Sequence, residues 1–259
     1  MAETSRATQL RKTTIDIAGQ ENRLIELLAD NERREFLRLA KRVSLLQGNL
    51  IARAGESAEF LYFPERCVIS AVANFAAGAS AEMTAVGREG CVPVSSILGS
   101  ESPIATCIVQ VPGNALQIGR GILFSHIHRF AGLQVILNRY LLAFMGQILQ
   151  SVACNATHTV EERCARWLLT IRDRTRSETF QLTHEDFGLL LGVSRQHVSI
   201  VARTLQTAGL IRYHRGRMTV LDGVALERVA CECYGVISRM YREHVETGLV
   251  PPASIKSRA

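Results

Sequence analysis

Residues 182–221 read LTHEDFGLLLGVSRQHVSIVARTLQTAGLIRYHRGRMTVL. Thr183 with Asp186 three residues later has the form of a capping box, with Asp in place of the usual Glu or Gln. The spacing predicts a short helix that turns Phe187, Leu190 and Leu191 inward and ends at Gly192, where glycine permits a positive φ. Ser194 is a good N-cap for a second helix, whose core side carries Val198, Val201 and Leu205. Gly188 lies four residues before the turn glycine, where two crossing helices come close. Val198 and Val201 follow the turn by six and nine residues and lock the second helix on the first. This is the spacing of a helix-turn-helix.

After Gly209, Leu210-Ile211 and Met218–Leu221 read as two short strands around Arg212-Tyr-His-Arg-Gly-Arg217, a hairpin with a basic tip. From Phe187 to Leu221 there are five arginines (195, 203, 212, 215 and 217) and no Asp or Glu. A one-sign face at a helix N-terminus and a hairpin tip is what contact with phosphates requires. The residues expected to meet double-stranded DNA are Thr183, Ser194, Arg195, Gln196, His197, Ser199, Arg203, Arg215 and Arg217, with Ile200 exposed beside them. The second helix would enter the major groove.

Upstream, residues 129–155 read as one long helix. Leu133, Leu137, Tyr140, Phe144, Ile148 and Val152 form one stripe, and Val135, Leu142 and Leu149 form a second apolar line. At about 1.5 Å per residue the helix is roughly 40 Å long. A helix apolar on more than one side must bury more than one side. The first stripe is assigned to a homodimer interface, against the alternative of a helix buried in a monomeric core. Residues 160–172 form a further amphipathic helix, and Arg172–Glu178 reads as a solvated loop.

Residues 21–43 read as helical, with Leu24, Leu27 and Leu28 on one face, Phe36, Leu39 and Val43 on another, and Asp30–Glu32 as a cap between them. From about 44 to 120, short apolar runs (Glu59–Phe63, Cys67–Ala73, Glu82–Val86, Thr106–Val111) alternate with glycine-bearing breaks, the pattern of an antiparallel sandwich or barrel. The fold class is α+β. The expected division is a flexible N-terminus (1–20), an antiparallel β domain (21–128) that the pattern leaves open as a plain scaffold or a ligand pocket, a dimerisation helix (129–155), a winged helix-turn-helix (156–224) and a helical C-terminal extension (225–259).

The chain has 259 residues, of which 47% are hydrophobic and 21% charged, with a net charge of +6. That mix excludes global disorder and a disulfide-stapled miniprotein. No secretory h-region is visible, and Leu133–Cys154 is interrupted by polar residues. A cytoplasmic protein with no membrane partner is expected. The seven cysteines (67, 91, 107, 154, 164, 231 and 233) are read as reduced thiols, mostly core residues. Cys231-Glu232-Cys233, a CxC pair on a predicted helix, reads as packing in preference to a metal or oxidant site. His126-Ile127-His128 lacks the Glu of a cupin metal motif. No metal, cofactor or catalytic residue is assigned, and the chain is not expected to be an enzyme.

Residues 20–225 resemble the cyclic-AMP receptor/fumarate–nitrate regulator (Crp/Fnr) superfamily of bacterial transcription factors, most specifically in VEERCARWLL (160–169) and LGVSRQHVS (191–199). The resemblance implies that residues 21–128 are a jelly-roll, cyclic-nucleotide-binding-like sensor, and it implies a homodimer on a near-palindromic promoter site and contact with RNA polymerase. It puts Arg195, Gln196 and Ser199 at base-edge positions. Where the best-known members have a Glu and, one turn later, an Arg, this chain has Gln196 and Ile200. The four N-terminal cysteines of the iron–sulfur branch are absent, since the first cysteine is Cys67. In the segment that holds a cyclic phosphate in nucleotide-binding members, the acidic position falls at Ser95. The Arg position falls at Ala105 before Thr106, and no arginine occurs between Arg88 and Arg120. Either of those two could fold back to supply the charge. An effector, if one binds, is an unidentified small molecule. Two other readings stay open: a cupin-like metalloenzyme with a DNA-binding appendix, and a ligand-binding signalling protein whose winged helix docks protein.

Overall fold

The computed structural model describes residues 22–74 and 80–247. The expected flexible N-terminus, residues 1–20, lies outside the described residues. The chain opens with α1 (Arg23–Glu26), capped by the buried Asn22, whose side chain accepts from the Leu24 amide at 3.0 Å. Next comes α2 (Asp30–Leu39), whose N-cap is Ala29. The expected Asp30–Glu32 cap instead forms the first turn of α2, where its acidic groups complement the helix dipole. The helical reading of 21–43 also overran: Ala40 is extended, and Lys41–Leu45 form strand β1. Val43 therefore pairs with Ala115 in a sheet and does not sit on a helix face.

The strands follow as β2 (Leu50–Ala52), β3 (Phe60–Pro64), β4 (Val68–Asn74) and β5 (Ser80–Val86); after α3 (Val94–Ile97) come β6 (Thr106–Val111) and β7 (Gly113–Gly119). They form two antiparallel sheets, ordered β1-β7-β3 and β2-β6-β4-β5. The expected apolar runs lie within a residue or two of these strands. The two sheets enclose a core that includes Leu61, Phe63, Ile69, Val109 and Ile118. Phe36 of α2 joins this core and meets Phe63 and Phe130 edge-on, at centroid distances of 5.1 and 6.2 Å.

From the barrel, α4 (Arg120–His126) and a 3₁₀ turn (Ile127–Arg129) lead into α5 (Ala131–Thr157). Among the described residues α5 is the one helix long and apolar enough to cross a membrane by length and composition, yet much of its surface is taken up inside the chain. Leu133, Leu137, Tyr140 and Phe144 are buried in the barrel core, and Tyr140 donates to the Cys91 carbonyl at 3.1 Å. Burying each such side chain contributes about 1.5–3 kcal/mol, so this docking dominates the placement of the helix. Ile148 packs partly on the same core, and only Val152 of the expected interface stripe is mostly exposed. The stripe assigned to the dimer thus faces mostly inward. On α5 the large apolar residues left in the open are Val135, Leu142, Met145, Leu149 (71% exposed) and Val152 (64% exposed).

The chain continues through α6 (Val160–Thr175), β8 (Thr179–Gln181), α7 (His184–Leu191), α8 (Arg195–Thr207), β9 (Ile211–His214) and β10 (Arg217–Val220). Then come α9 (Gly223–Val229), α10 (Cys233–Tyr241) and a π-helical turn (Arg242–Glu246). A second core gathers Trp167, Leu168, Phe187, Val198, Val201, Leu205 and Met218. The expected loop at 172–178 is shorter than read. The helix runs to Thr175, Arg176 closes it at φ 51°, and Arg174 is buried. The C-terminal segment folds back on α5: Ile237, Tyr241 and Val245 join the barrel core.

Candidate nucleic-acid interface

The two helices of the expected pair are α7 and α8. Thr183 caps α7: its hydroxyl accepts from the Asp186 amide at 3.1 Å, and the Asp186 carboxylate accepts from the Thr183 amide at 3.3 Å. Gly192 ends α7 at φ 66°. A Cβ on Gly188 would lie 2.7 Å from the Val193 carbonyl, so the turn can fold back across α7 only over a glycine. Ser194 then caps α8, accepting from the His197 amide at 3.3 Å. Val198, Val201 and Leu205 are buried against α7 and α6.

This packing leaves one side of α8 in the open. Arg195, Gln196, His197, Ile200 and Arg203 are all exposed. Ser199 is different. Its hydroxyl donates to the Arg195 carbonyl and shares a 2.9 Å hydrogen bond with His184 Nδ1. Ser199 is therefore half-buried and ties α8 to α7. The His184 ring stacks on Tyr213 at a centroid distance of 4.0 Å, which joins the start of α7 to the hairpin. Burial, and then the charge of Arg195, lower the pKa of His184, so it favours the neutral ring. Sequence reasoning missed this pair, since nothing in the local pattern marks His184 and Tyr213 as partners.

The hairpin is β9 and β10, with Arg217 paired to His214. Arg215 and Gly216 form its two-residue tip at φ 47° and 75°. Positive φ at both positions is the type I′ geometry that matches strand twist. Arg215 carries the strain of a left-handed conformation and presents its side chain at the exposed tip. The sheet has a third strand, β8, in the order β8-β10-β9. The Thr183 methyl lies 3.8 Å from where a Gly216 Cβ would stand, so the hairpin tip borders the cap of α7. The structure thus brings Thr183, Arg195, Gln196, Arg215 and Arg217 onto exposed helix and hairpin termini; from Phe187 to Leu221 the chain has no acidic residue, whereas Glu185 and Asp186 stand beside Thr183 in the first turn of α7. Ser194 spends its hydroxyl on the cap, and Arg203 lies two turns further along α8.

The remaining thiols divide into two groups. Burial pushes Cys67 and Cys107 up to about 12 and raises Cys91 and Cys164 further, which makes these four inert core residues, as read from the sequence. Cys231 and Cys233, read as packing, are buried but not alone: Cys154 and His158 join them in one cluster. His126 and His128 both lie at the barrel-to-α5 junction, with His126 Nδ1 bonded to the Ile122 carbonyl and Ser125.

Residues 162–229 match the Crp-like helix-turn-helix domain family. No curated protein sequence matches the chain. Among solved structures, a CRP-family transcriptional regulator of Thermus thermophilus is 24% identical; the alignment covers 73% of this chain and 96% of that one, with a TM-score of 0.59. The c-di-GMP-responsive global regulator CLP of Xanthomonas campestris is 16% identical, covering 75% and 100% at a TM-score of 0.55. FixK2 of Bradyrhizobium japonicum is 17% identical, covering 74% and 98% at 0.54. At these identities the likeness is one of fold.

Proposed function

This chain carries a Crp-like helix-turn-helix domain within a Crp/Fnr-type fold, and we propose that it works as a homodimeric, sequence-specific regulator of transcription. The observation that carries the reading is the exposed face made by the N-terminus of α8 and the β9–β10 tip, which carries Arg195, Arg215 and Arg217, on a segment from Phe187 to Leu221 that has five arginines and no carboxylate. Arg195 and Gln196 read base edges, Arg to guanine O6/N7 and Gln to adenine N6/N7. Arg215 and Arg217 hold phosphates from the hairpin, and Thr183 and His197 border the same backbone. Ser199, bonded inside the helix pair, positions α8. Arg203 makes a peripheral phosphate contact.

The dimer forms through the apolar stripe that α5 leaves exposed: Val135, Leu142, Met145, Leu149 and Val152. These residues step by 7, 3, 4 and 3 and keep to one side of the helix. Two copies related by a two-fold axis bring two α8 helices to half-sites about one turn of DNA apart. The barrel and α5 form the sensor and its relay, and RNA polymerase is the partner on the promoter. Selection of bound DNA from a random pool by the purified protein tests the reading. A near-palindrome is expected; a pool that stays random at low salt would overturn it.

A further inference from the structure

We propose that Cys154, His158, Cys231 and Cys233 form a structural zinc site that clamps the end of the long helix to the C-terminal extension. The four ligand atoms, three Sγ and one His158 ring nitrogen, all lie within 4.8 Å of one another. A tetrahedral zinc ion with Zn–S near 2.3 Å and Zn–N near 2.0 Å needs ligand atoms roughly 3.5–3.8 Å apart. The structure puts Cys154 Sγ 3.5 Å from Cys231 Sγ, and Cys233 Sγ 3.6 Å from His158 Nδ1. Those two edges fit a single ion. An iron–sulfur cluster, whose irons stand apart from one another, needs its cysteine sulfurs spread more widely.

The surroundings have the character of a built site. All three cysteines are buried and form a small core of their own. His158 Nε2 stands 3.1 Å from the Glu232 carboxylate. That contact holds a proton on Nε2 and leaves the Nδ1 lone pair facing the sulfurs, the usual arrangement of a carboxylate behind a metal-bound histidine. Gln150 Nε2 donates to Cys233 Sγ at 3.1 Å, a bond that favours the thiolate. Three thiolates and a neutral imidazole around Zn²⁺ leave one net negative charge, and the cationic Arg166 acts on both Cys154 and Cys231 from α6. Four protein ligands close the coordination sphere, so the site is structural and has no open position for catalysis. Binding converts three thiols to thiolates and releases their protons to solvent.

The location gives the clamp its role. Cys154 lies in the last turn of α5, His158 in the link to α6, Cys231 in the link between α9 and α10, and Cys233 at the first position of α10. One ion would therefore fix the hinge between the sensor helix and the winged helix. The test is metal analysis of the full-length protein purified under reducing conditions, followed by exchange with Co²⁺. One zinc per chain is expected, and the cobalt form should show the d–d and thiolate charge-transfer bands of a tetrahedral S₃N site. Cys233→Ser should lose the metal, whereas Cys107→Ser, at a buried thiol elsewhere, should keep it. Glu232→Gln should retain the fold and weaken zinc binding by roughly 10–100-fold. If Cys233→Ser fails to fold, the Glu232→Gln affinity and the cobalt spectrum of the unaltered protein still decide. A protein without stoichiometric metal, a Cys154–Cys231 disulfide in its place, or an octahedral cobalt spectrum would each overturn the proposal.

Discussion

Arg174 and Glu89 meet at 2.8 Å, Nε to carboxylate oxygen, across the junction between the barrel and α6, with side-chain exposures of only 9% and 17%. Arg174 also donates to Gln147 Oε1 at 3.1 Å, and Gln147 in turn donates to the Ala85 carbonyl at 3.0 Å and to Thr84. One network thus ties β5, α5 and α6 together. Removing Arg174 leaves the mostly buried Glu89 carboxylate with the Gly87 amide, at 3.0 Å, but without its cationic partner. Arg174→Ala should destabilise the protein by about 3 kcal/mol or more, and replacing both residues by Met should cost much less. Urea denaturation of the single and double variants measures both. A single variant that melts like the parent would mean that the junction does not depend on this pair.

The DNA face should divide into two kinds of arginine. Arg195→Ala should weaken binding to the selected site by roughly 1–3 kcal/mol and relax the preference at one base position. Arg215→Ala should weaken all sequences alike and reduce the slope of log K against log salt by about one phosphate contact. Fluorescence anisotropy across a salt series separates the two. An Arg195→Ala protein with unaltered affinity and preference would mean that another part of the domain reads the bases.

The two apolar sides of α5 give opposite expectations for neighbouring residues. Leu149→Asp places a carboxylate on the exposed stripe. It should yield a folded monomer that has lost operator binding, because a buried unpaired charge is costly at a helix pair. Ile148→Asp introduces the charge on the side packed against the barrel core, so it should lower the melting temperature of the chain itself. Sedimentation velocity and thermal melts read the pair. A Leu149→Asp protein that remains dimeric at micromolar concentration would move the interface elsewhere.

Why sequence reading succeeded at α7 and α8 and failed on α5 has a physical cause. The helix pair is specified by local signals: the Thr183–Asp186 box, the close approach at Gly188, the φ of Gly192 and the Ser194 cap. Each acts within a few residues. By contrast, α5 carries apolar residues on more than one side, and period alone does not say which side the barrel takes. That choice is made by remote partners, such as the Cys91 carbonyl that receives the Tyr140 hydroxyl. The cysteine–histidine cluster was hidden for the same reason, since Cys154 and Cys231 are 77 residues apart. Arg174 resembled part of a solvated loop because its partners, Glu89 and Gln147, are equally remote in sequence.

Glu82 on β5 gives the junction a pH dependence. Its carboxylate accepts from Trp167 Nε1 at 3.1 Å and from Ser70 Oγ at 2.5 Å. Burial outweighs these bonds and the charges of Arg174 and Arg166, and raises the group to about 7 from an ordinary 4.5. Between those values the folded chain keeps a proton that the unfolded chain releases. The contribution is therefore fully present below about pH 4.5 and is lost as pH rises through about 7. Glu82→Gln, which resembles the protonated acid, should remove this part of the fall in stability over that range. Urea midpoints at half-unit pH steps test it, and identical slopes for the two proteins would refute it.

Cyclic AMP should not be the effector. A cyclic phosphate carries a full negative charge into the barrel and needs a charge-assisted donor, for which a bidentate arginine is the natural choice. The two arginines flanking the aligned segment are committed elsewhere. Arg88 Nη2 pairs with Glu26 at 2.8 Å and Arg120 Nη2 with Glu101 at 2.7 Å, each holding its guanidinium against an acid. At the position of the missing arginine stands Ala105. Thr106 beside it is buried, with its hydroxyl accepting from the Ala54 amide at 3.3 Å. One hydroxyl already in use cannot replace a guanidinium, and the loss of a charged partner in such a site costs several kcal/mol, on the order of a thousandfold in affinity. Calorimetric titration with cyclic AMP and cyclic GMP should give no saturable heat at micromolar concentrations. Ala105→Arg supplies the missing donor and is expected to bring any gain of binding with it. Micromolar binding by the unaltered protein, coupled to tighter operator binding, would show that Arg88 or Arg120 leaves its acid to serve the phosphate.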